Sequence, residues 1–199
     1  MRRTLAFTLS LSLLLAASAR AQESTTRGFN VGLHFQGSSL VVDDERSNAG
    51  GAGLWIGYGF NRTVQLFVQL DAAEFDVDDA SVEGTWTMGH GDLGVRFHFA
   101  NSLRSWVPYL EAALTGRVVE VRDGAINDAA QSENISLIGG GLTIGGGLLV
   151  YFTETFGLDL QLAWTGGTFT DLEVGNVTVS NFDLEAQSAR FNVGISWWP

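Results

Sequence analysis

Eight segments of this chain alternate apolar and polar residues, and they are joined by connections that are alternately long and short. A period of two is typical of a β-strand whose two faces meet different surroundings. The first such segment has Phe29, Val31 and Leu33 on one face, with polar or small residues between them. The sequence therefore predicts an all-β fold, an eight-stranded antiparallel up-and-down barrel.

The connections predict which end of the barrel each loop occupies. Short connections follow the second, fourth and sixth strands. Long connections follow the other strands, at roughly residues 37–50, 73–84, 119–135 and 167–186. Because consecutive strands run in opposite directions, all long connections leave from one end, and both termini lie at the other. We therefore expect four long extracellular loops and three short periplasmic turns.

The first residues have the features of a cleaved export signal. Two arginines precede an apolar run over residues 5–17, and Ala19 and Ala21 form a small-x-small cleavage site. The apolar run is shorter than the ~20 residues that a membrane-spanning helix needs. We therefore expect residues 1–21 to be a signal peptide and residues 22–199 to form one barrel domain.

The composition narrows the possible partners and ligands. The chain has 11 basic and 22 acidic residues, a formal net charge of −11, and all its basic residues are arginine. No cluster of positive charge suits a nucleic acid, so we expect no nucleic-acid partner. The chain has no cysteine, which leaves neither a disulfide framework nor a lipid-anchored cysteine. Three scattered histidines do not form a ligand set, so we expect no metal site and no cofactor.

Alternation alone does not show which face of the barrel points outward. A soluble lipocalin-type barrel also alternates, with its apolar face turned inward. Here the polar face consists mainly of Gly, Asn, Gln and Thr, and small residues suit the narrow interior of eight strands. The export signal directly precedes the strands, which favours a barrel in an outer membrane. We therefore expect a transmembrane barrel with apolar side chains against lipid and a polar lumen.

The polar face also carries charges of both signs, which a lumen tolerates when they are paired or hydrated. This predicted lumen charge network consists of Asp71, Asp92, Arg96, Glu111, Arg117, Asp159 and Arg190. A structural network that fills the lumen is the favoured interpretation, because eight strands leave room only for side chains. The alternative is an ion path gated by switching ion pairs. Replacing Arg96 with Leu is expected to destabilise the barrel by leaving a carboxylate unpaired.

Aromatic residues concentrate near the strand ends beside the short turns, which is typical of a girdle at a membrane interface. The set predicted there is Phe29, Tyr58, Phe60, Phe97, Phe99, Trp106, Tyr151, Phe152, Phe156, Trp197 and Trp198. At the opposite interface the sequence predicts fewer aromatic residues, Phe35 and Trp164. The two groups of aromatic residues bracket the apolar band that we expect to contact lipid.

Three stretches carry a resemblance to a known family: residues 91–99 (GDLGVRFHF), 106–110 (WVPYL) and 191–198 (FNVGISWW). Together with the eight-fold order of strands, they make the chain similar to the small outer-membrane barrels of Gram-negative bacteria, of the outer membrane protein A and outer membrane protein X type. The resemblance implies a monomeric barrel in contact with outer-membrane lipid and lipopolysaccharide. It also implies recognition of the last strand by the barrel-assembly machinery, although Pro199 here follows the aromatic residues on which family members commonly end.

The residues leave the biochemical role open among three classes. The expected role is structural or surface-interactive (envelope integrity, adhesion or recognition through the long loops), because loops on a rigid scaffold commonly carry function. A narrow pore for small solutes is the second class, and a lipid-modifying enzyme is the third. His90 and Asp92 face the same way on one strand, but no serine motif accompanies them, so we expect no catalytic residues. Acidic stretches such as residues 74–79 predict a solvated rim, with divalent-cation binding as the alternative.

Overall fold

The structure is a computed structural model, and it describes residues 26–42, 45–75, 82–99, 105–126, 133–174 and 177–199. These residues form eight β-strands. The strands are β1 (Gly28–Val42), β2 (Glu45–Gly59), β3 (Val64–Phe75), β4 (Val82–His98), β5 (Trp106–Ile126), β6 (Glu133–Tyr151), β7 (Phe156–Val174) and β8 (Val177–Trp197). No helix in the described part of the chain is long and apolar enough to cross a membrane.

The strands close into a barrel. Each strand pairs in antiparallel fashion with its neighbours in sequence, and β1 closes the ring by pairing with β8. In this closing seam Val31 lies opposite Trp197, and Val42 lies opposite Ala186. The all-β up-and-down barrel of eight antiparallel strands that the sequence predicts is therefore confirmed. Closure leaves the wall without a free sheet edge where it crosses lipid, as a bilayer requires.

Alternate residues along each strand face outward or into the lumen, and the apolar residues face outward. On β1 the side chains of Leu33 and Phe35 are exposed, whereas His34 and Gln36 are buried. The same alternation of exposed and buried residues runs along the whole of β3. The polar face therefore lines the lumen. This orientation is the one expected of a membrane barrel and the opposite of a lipocalin-type barrel.

The predicted long loops are wrong in their extent, because strands continue into all four ranges. Most of residues 37–50 belong to β1 and β2, and β7 and β8 leave only residues 175–176 between them. β5 and β8 each have 21 residues, whereas β3 has 12. Above the membrane both faces of a strand meet water, so the alternation that marks a strand in the sequence is lost there.

The upper ends of the longer strands form a continuous sheet, here called the extracellular sheet. It comprises residues 82–86 of β4, 118–126 of β5, 133–138 of β6, 169–174 of β7 and 177–185 of β8. The β7–β8 hairpin is paired as far as Val174 and Val177. At the extracellular end, the described parts of β1, β2 and β3 therefore stop closer to the membrane than those of the other five strands.

The first and third of the short turns are confirmed, at residues 60–63 and 152–155. The second, between β4 and β5, falls mainly on residues 100–104, which the structure does not describe. At the first of them, the side-chain oxygen of Asn61 accepts hydrogen bonds from the backbone N–H groups of Thr63 and Val64, at 2.7 and 2.8 Å. At the third, the hydroxyl of Thr153 accepts from the N–H of Phe156 at 2.9 Å. Asn and Thr terminate these strands because a short polar side chain can replace a strand partner for the turning backbone.

Candidate functional site

The lumen has three layers. Its extracellular end holds an apolar cluster of Leu40, Phe75, Met88, Val119, Phe169 and Ala186, here called the upper cluster. Its periplasmic end holds a second one of Trp55, Val107, Leu149, Tyr151 and Trp198, here called the lower cluster. Buried polar and charged side chains fill the space between them. Side chains therefore occupy the described part of the lumen along its whole length.

Arg190 is the centre of the upper part of the polar layer. Its Nη1 donates a hydrogen bond of 2.5 Å to Oδ2 of Asp71, and its Nη2 lies 2.8 Å from Oδ2 of Asp92. Asp71 also accepts a hydrogen bond from the amide of Gln69 at 3.0 Å, and its Oδ1 lies 2.8 Å from Nε2 of His34. One guanidinium thus holds two carboxylates from β3 and β4, which explains how these charges are tolerated inside the wall.

Three threonines extend this group across β5, β6 and β7. Thr115 donates to Asp92 at 2.6 Å, and the hydroxyl pairs Thr115–Thr143 and Thr143–Thr165 are each separated by 2.6 Å. Arg190 Nη2 donates to Thr143 and Thr165 at 3.3 Å. A carboxylate only accepts and a guanidinium only donates, so the hydroxyl protons must all point from Thr165 towards Asp92. The chain of hydroxyls therefore has one fixed direction.

Arg96 is the centre of the lower part of the polar layer. Its Nε donates to Oε2 of Glu111 at 3.0 Å, and its Nη1 donates to Oδ2 of Asp159 at 3.2 Å. Tyr109 donates its hydroxyl to the other oxygen of Asp159 at 2.7 Å. The guanidinium carbon lies 4.1 Å from the ring centroid of Tyr109 and 5.0 Å from that of Trp55. Ion pairs and aromatic faces together compensate the buried charge.

Amide side chains join the two parts. Gln161 donates to Oε1 of Glu111 at 2.6 Å and accepts from Asn192 at 2.5 Å. Its amide also contacts that of Gln69, which in turn bonds Asp71. The polar layer is thus one connected network that reaches around the whole lumen, and it fixes the register of the strands that contribute to it.

Arg117 was predicted to belong to the lumen charge network. It lies in the lumen, but apart from the ion pairs of that network. Its Nη2 donates to the backbone oxygen of Ala186 at 3.2 Å, and its guanidinium carbon lies 5.0 Å from the ring centroid of Phe169. It forms no ion pair with a carboxylate of the described residues. The other six charges of the predicted network, Asp71, Asp92, Arg96, Glu111, Asp159 and Arg190, meet as described above.

The three histidines all lie in the lumen. Nε2 of His90 lies 3.2 Å from the hydroxyl of Ser188, a contact that no sequence motif signals. Asp92 bonds to Arg190 and Thr115 rather than to His90, and Nδ1 of His90 has no partner. A buried serine–histidine contact with no orienting acid does not meet the geometry of a hydrolase. Within the described residues, no three acidic or histidine side chains form a group able to hold a metal ion.

The aromatic residues predicted for the two interfaces form two groups, because alternate positions along a strand face outward or into the lumen. Eleven point outward: Phe29, Phe35, Tyr58, Phe60, Phe97, Phe99, Trp106, Phe152, Phe156, Trp164 and Trp197. Phe156 and Trp197 stack at 6.2 Å between ring centroids, next to the periplasmic turns. Tyr151 and Trp198 point into the lower cluster instead, so their placement in the girdle was wrong. Tyr151 directly precedes the outward Phe152, and Trp198 directly follows the outward Trp197, so both face inward.

Some predicted features fall on residues that the structure does not describe. These are the cleavage site at Ala19 and Ala21, together with the rest of residues 1–21, and much of the acidic stretches, such as residues 76–79. The signal peptide and the divalent-cation alternative therefore stay predictions.

A closed eight-stranded barrel with an apolar outer band and a polar interior defines an outer-membrane protein. The profile of the outer membrane protein β-barrel domain family matches residues 7–197, and the chain belongs to this family. The family implies a location in the Gram-negative outer membrane. No curated protein matches the chain.

Solved structures with a similar fold include three surface or outer-membrane proteins. Neisserial surface protein A has a TM-score of 0.61 at 15% identity, over 85% of this chain and 96% of that one. OprG from Pseudomonas aeruginosa has a TM-score of 0.58 at 12% identity, over 87% and 97%. Ail, the attachment invasion locus protein of Yersinia pestis, has a TM-score of 0.55 at 12% identity, over 86% and 100%. At these identities the similarity shows the fold alone.

Proposed function

We propose that this protein is a closed, non-enzymatic barrel that binds extended segments of a surface partner along the edge of its extracellular sheet. The observation that carries the proposal is the upper part of β8. β1 pairs with β8 only as far as Ala186, so residues 177–185 have no partner on that side among the described residues. On the other side, residues 177–180, 184 and 185 pair with β7. The backbone groups on the opposite side of this segment are available to another strand.

The sequence of this edge suits strand addition. Natural sheets commonly protect a free edge with charged residues or proline. Residues 177–182 (VTVSNF) contain neither, and the β-branched side chains of Val177 and Val179 are 64% and 49% exposed. A tilted strand needs about 9–11 residues to cross the bilayer, so a 21-residue strand raises this edge roughly 25 Å above it. The part of the edge formed by residues 177–182 is uncharged, and at that height it favours contact with extended peptide from outside the cell.

The packed lumen favours this role over a pore. The upper cluster, the polar network and the lower cluster follow one another along the barrel axis. An ion would have to separate both apolar clusters and break the ion pairs of Arg96 and Arg190. In planar bilayers we expect the reconstituted barrel to show no regular channel openings, and a reproducible conductance would favour the pore instead.

The same fold supports further proposals about its surroundings. The outward aromatic residues would anchor a monomeric barrel between outer-membrane lipid and lipopolysaccharide on one side and inner-leaflet lipid on the other. The barrel-assembly machinery would insert it after removal of residues 1–21. Ail, the attachment invasion locus protein of Yersinia pestis, has this fold, which agrees with a surface role for the barrel.

A binding assay on proteoliposomes tests the edge. The probe is a reduced and alkylated protein, which stays unfolded and offers extended backbone. We expect wild-type barrels to retain it and the double variant Thr178→Lys/Val179→Lys to lose most of the binding, because charges on an edge strand oppose strand addition. The control is Thr168→Lys, which adds a charge to β7 at a residue that is paired with Gly140 on β6 and with Glu185 on β8. Equal binding by all three proteins would contradict the proposal.

A further inference from the structure

We propose that the lumen contains an anion-binding site centred on the guanidinium of Arg117, and that it takes a small monovalent anion such as chloride. The site lies between the upper cluster and the Arg190 ion pairs. It is independent of strand addition at the β8 edge, since it involves none of the residues of that edge.

The first observation is the state of Arg117 itself. The residue is only 2% exposed, so its charge is removed from water. Among the described residues, Nη2 alone of its three nitrogen atoms has a hydrogen-bond partner, the backbone oxygen of Ala186, while Nε and Nη1 have none. A buried charge without a counter-charge is costly even beside a carbonyl oxygen and the ring of Phe169, and a hydrocarbon side chain of similar size would avoid that cost. A guanidinium at this position therefore indicates a ligand that compensates it.

The second observation is the chemistry of the neighbouring groups. His90 lies opposite Arg117 in the β4–β5 pairing, and its Nδ1 has no partner. Ser38 lies opposite Arg190 in the β1–β8 pairing, and its hydroxyl also has none. The carboxylates of Asp71 and Asp92 are already bound by Arg190. This part of the lumen thus combines one positive charge that no described carboxylate compensates with two unpaired polar groups, of which the Ser38 hydroxyl can donate a hydrogen bond. This combination selects an anion.

The third observation limits the size and charge of the ligand. Arg117 contributes a single unpaired positive charge, because the other two lumen arginines are held in ion pairs. The upper cluster closes the route from the extracellular end, and Phe169 and Met88 within it are fully buried. A small ion can pass when the unbranched, adaptable side chain of Met88 moves, whereas a bulky organic anion cannot. The ligand is therefore small and carries one charge.

Urea unfolding of the refolded mature barrel in detergent micelles tests the site. Unfolding is measured in sodium chloride and in sodium gluconate at equal ionic strength, so that screening is matched and only the size of the anion differs. A ligand that binds only the folded state raises the urea midpoint. We expect chloride to raise the midpoint of the wild type by about 0.5 M or more relative to gluconate. We expect this difference to disappear in Arg117→Gln.

Two further variants and a direct readout separate binding from a structural effect. Arg27→Gln removes an exposed arginine and is expected to keep the full chloride effect. Arg117→Lys keeps the charge and is expected to keep part of it. Chloride NMR should show line broadening by the wild type and by Arg27→Gln, but not by Arg117→Gln.

The result that overturns the proposal is a midpoint that does not depend on the anion in the wild type, or an equal chloride effect in Arg117→Gln. If Arg117→Gln also lowers the midpoint strongly in both salts, the compensating charge lies within the chain itself, and the anion site is rejected. A variant that fails to fold is recognised by the loss of heat-modifiable migration on a gel, and Arg117→Lys then decides.

Discussion

Arg190 and Asp71 meet inside the barrel: Nη1 of Arg190, on β8, donates a hydrogen bond of 2.5 Å to Oδ2 of Asp71, on β3. The two strands are not neighbours, and both side chains are completely buried. The pair therefore connects distant parts of the wall. Since a shift of either strand by one residue would turn a charge towards lipid, the pair also fixes the register of both.

Arg190→Leu should destabilise the barrel strongly, because it leaves Asp71 and Asp92 buried without their cation. Removing one partner of a buried pair costs about 3–5 kcal/mol. Arg96→Leu, which deprives Glu111 and Asp159 in the same way, should cost a similar amount. Urea unfolding in detergent measures both. Arg27→Leu, at an exposed position, is the matched control and should change the unfolding free energy little. Equal effects of all three substitutions would show that the ion pairs do not stabilise the barrel.

Thr143→Val should weaken the barrel through the hydroxyl chain. The substitution keeps the shape of the side chain but leaves Thr115 without a donor and Thr165 without an acceptor, both in a buried site. A broken buried hydrogen bond costs about 1–3 kcal/mol. Thr170→Val, at an exposed position on β7, provides the comparison and should be nearly neutral. The same unfolding free energy for both variants would show that the chain contributes nothing.

Two glycine substitutions should act in opposite directions. An added Cβ at Gly147 would lie 2.2 Å from the backbone oxygen of Leu160 and 2.5 Å from the ring of Tyr109, so Gly147→Ala must displace the wall. A Cβ at Gly116 would meet nothing within 4 Å, on the outer face. Gly116→Ala should therefore stabilise the barrel by about 0.4–1 kcal/mol, by restricting the unfolded chain. Stabilisation by both variants would mean that the lumen beside Tyr109 is not packed.

The wall of the barrel was predictable from the sequence because each of its residues faces either lipid or the polar lumen. Alternation identified all eight strands, their order and the outward position of residues such as Leu33 and Trp164. The short turns followed from the same pattern, since Asn61 and Thr153 interrupt it. Where lipid ends, this signal ends too, and the extracellular sheet was therefore mistaken for loops.

The arrangement within the lumen was less predictable. Sequence periodicity shows that Arg96, Arg117 and Arg190 face inward, but not which carboxylate each one meets, because partners come from strands on other sides of the barrel. It could not separate Arg117 from the ion pairs, nor bring Ser188 to His90. Trp198 follows the outward Trp197, so the alternation along the strand indicates an inward position, which its residue type alone does not.

The central claim is that the apolar face of the wall contacts lipid and the polar face lines a packed lumen. Tryptophan quenching by brominated lipids in proteoliposomes tests it directly, with variants that retain one tryptophan and carry phenylalanine at the others. Trp164 points outward from β7, whereas Trp55 lies in the lower cluster against Arg96. We predict strong quenching of the Trp164 protein and little quenching of the Trp55 protein. Strong quenching of Trp55 with a protected Trp164 would contradict the orientation and everything derived from it.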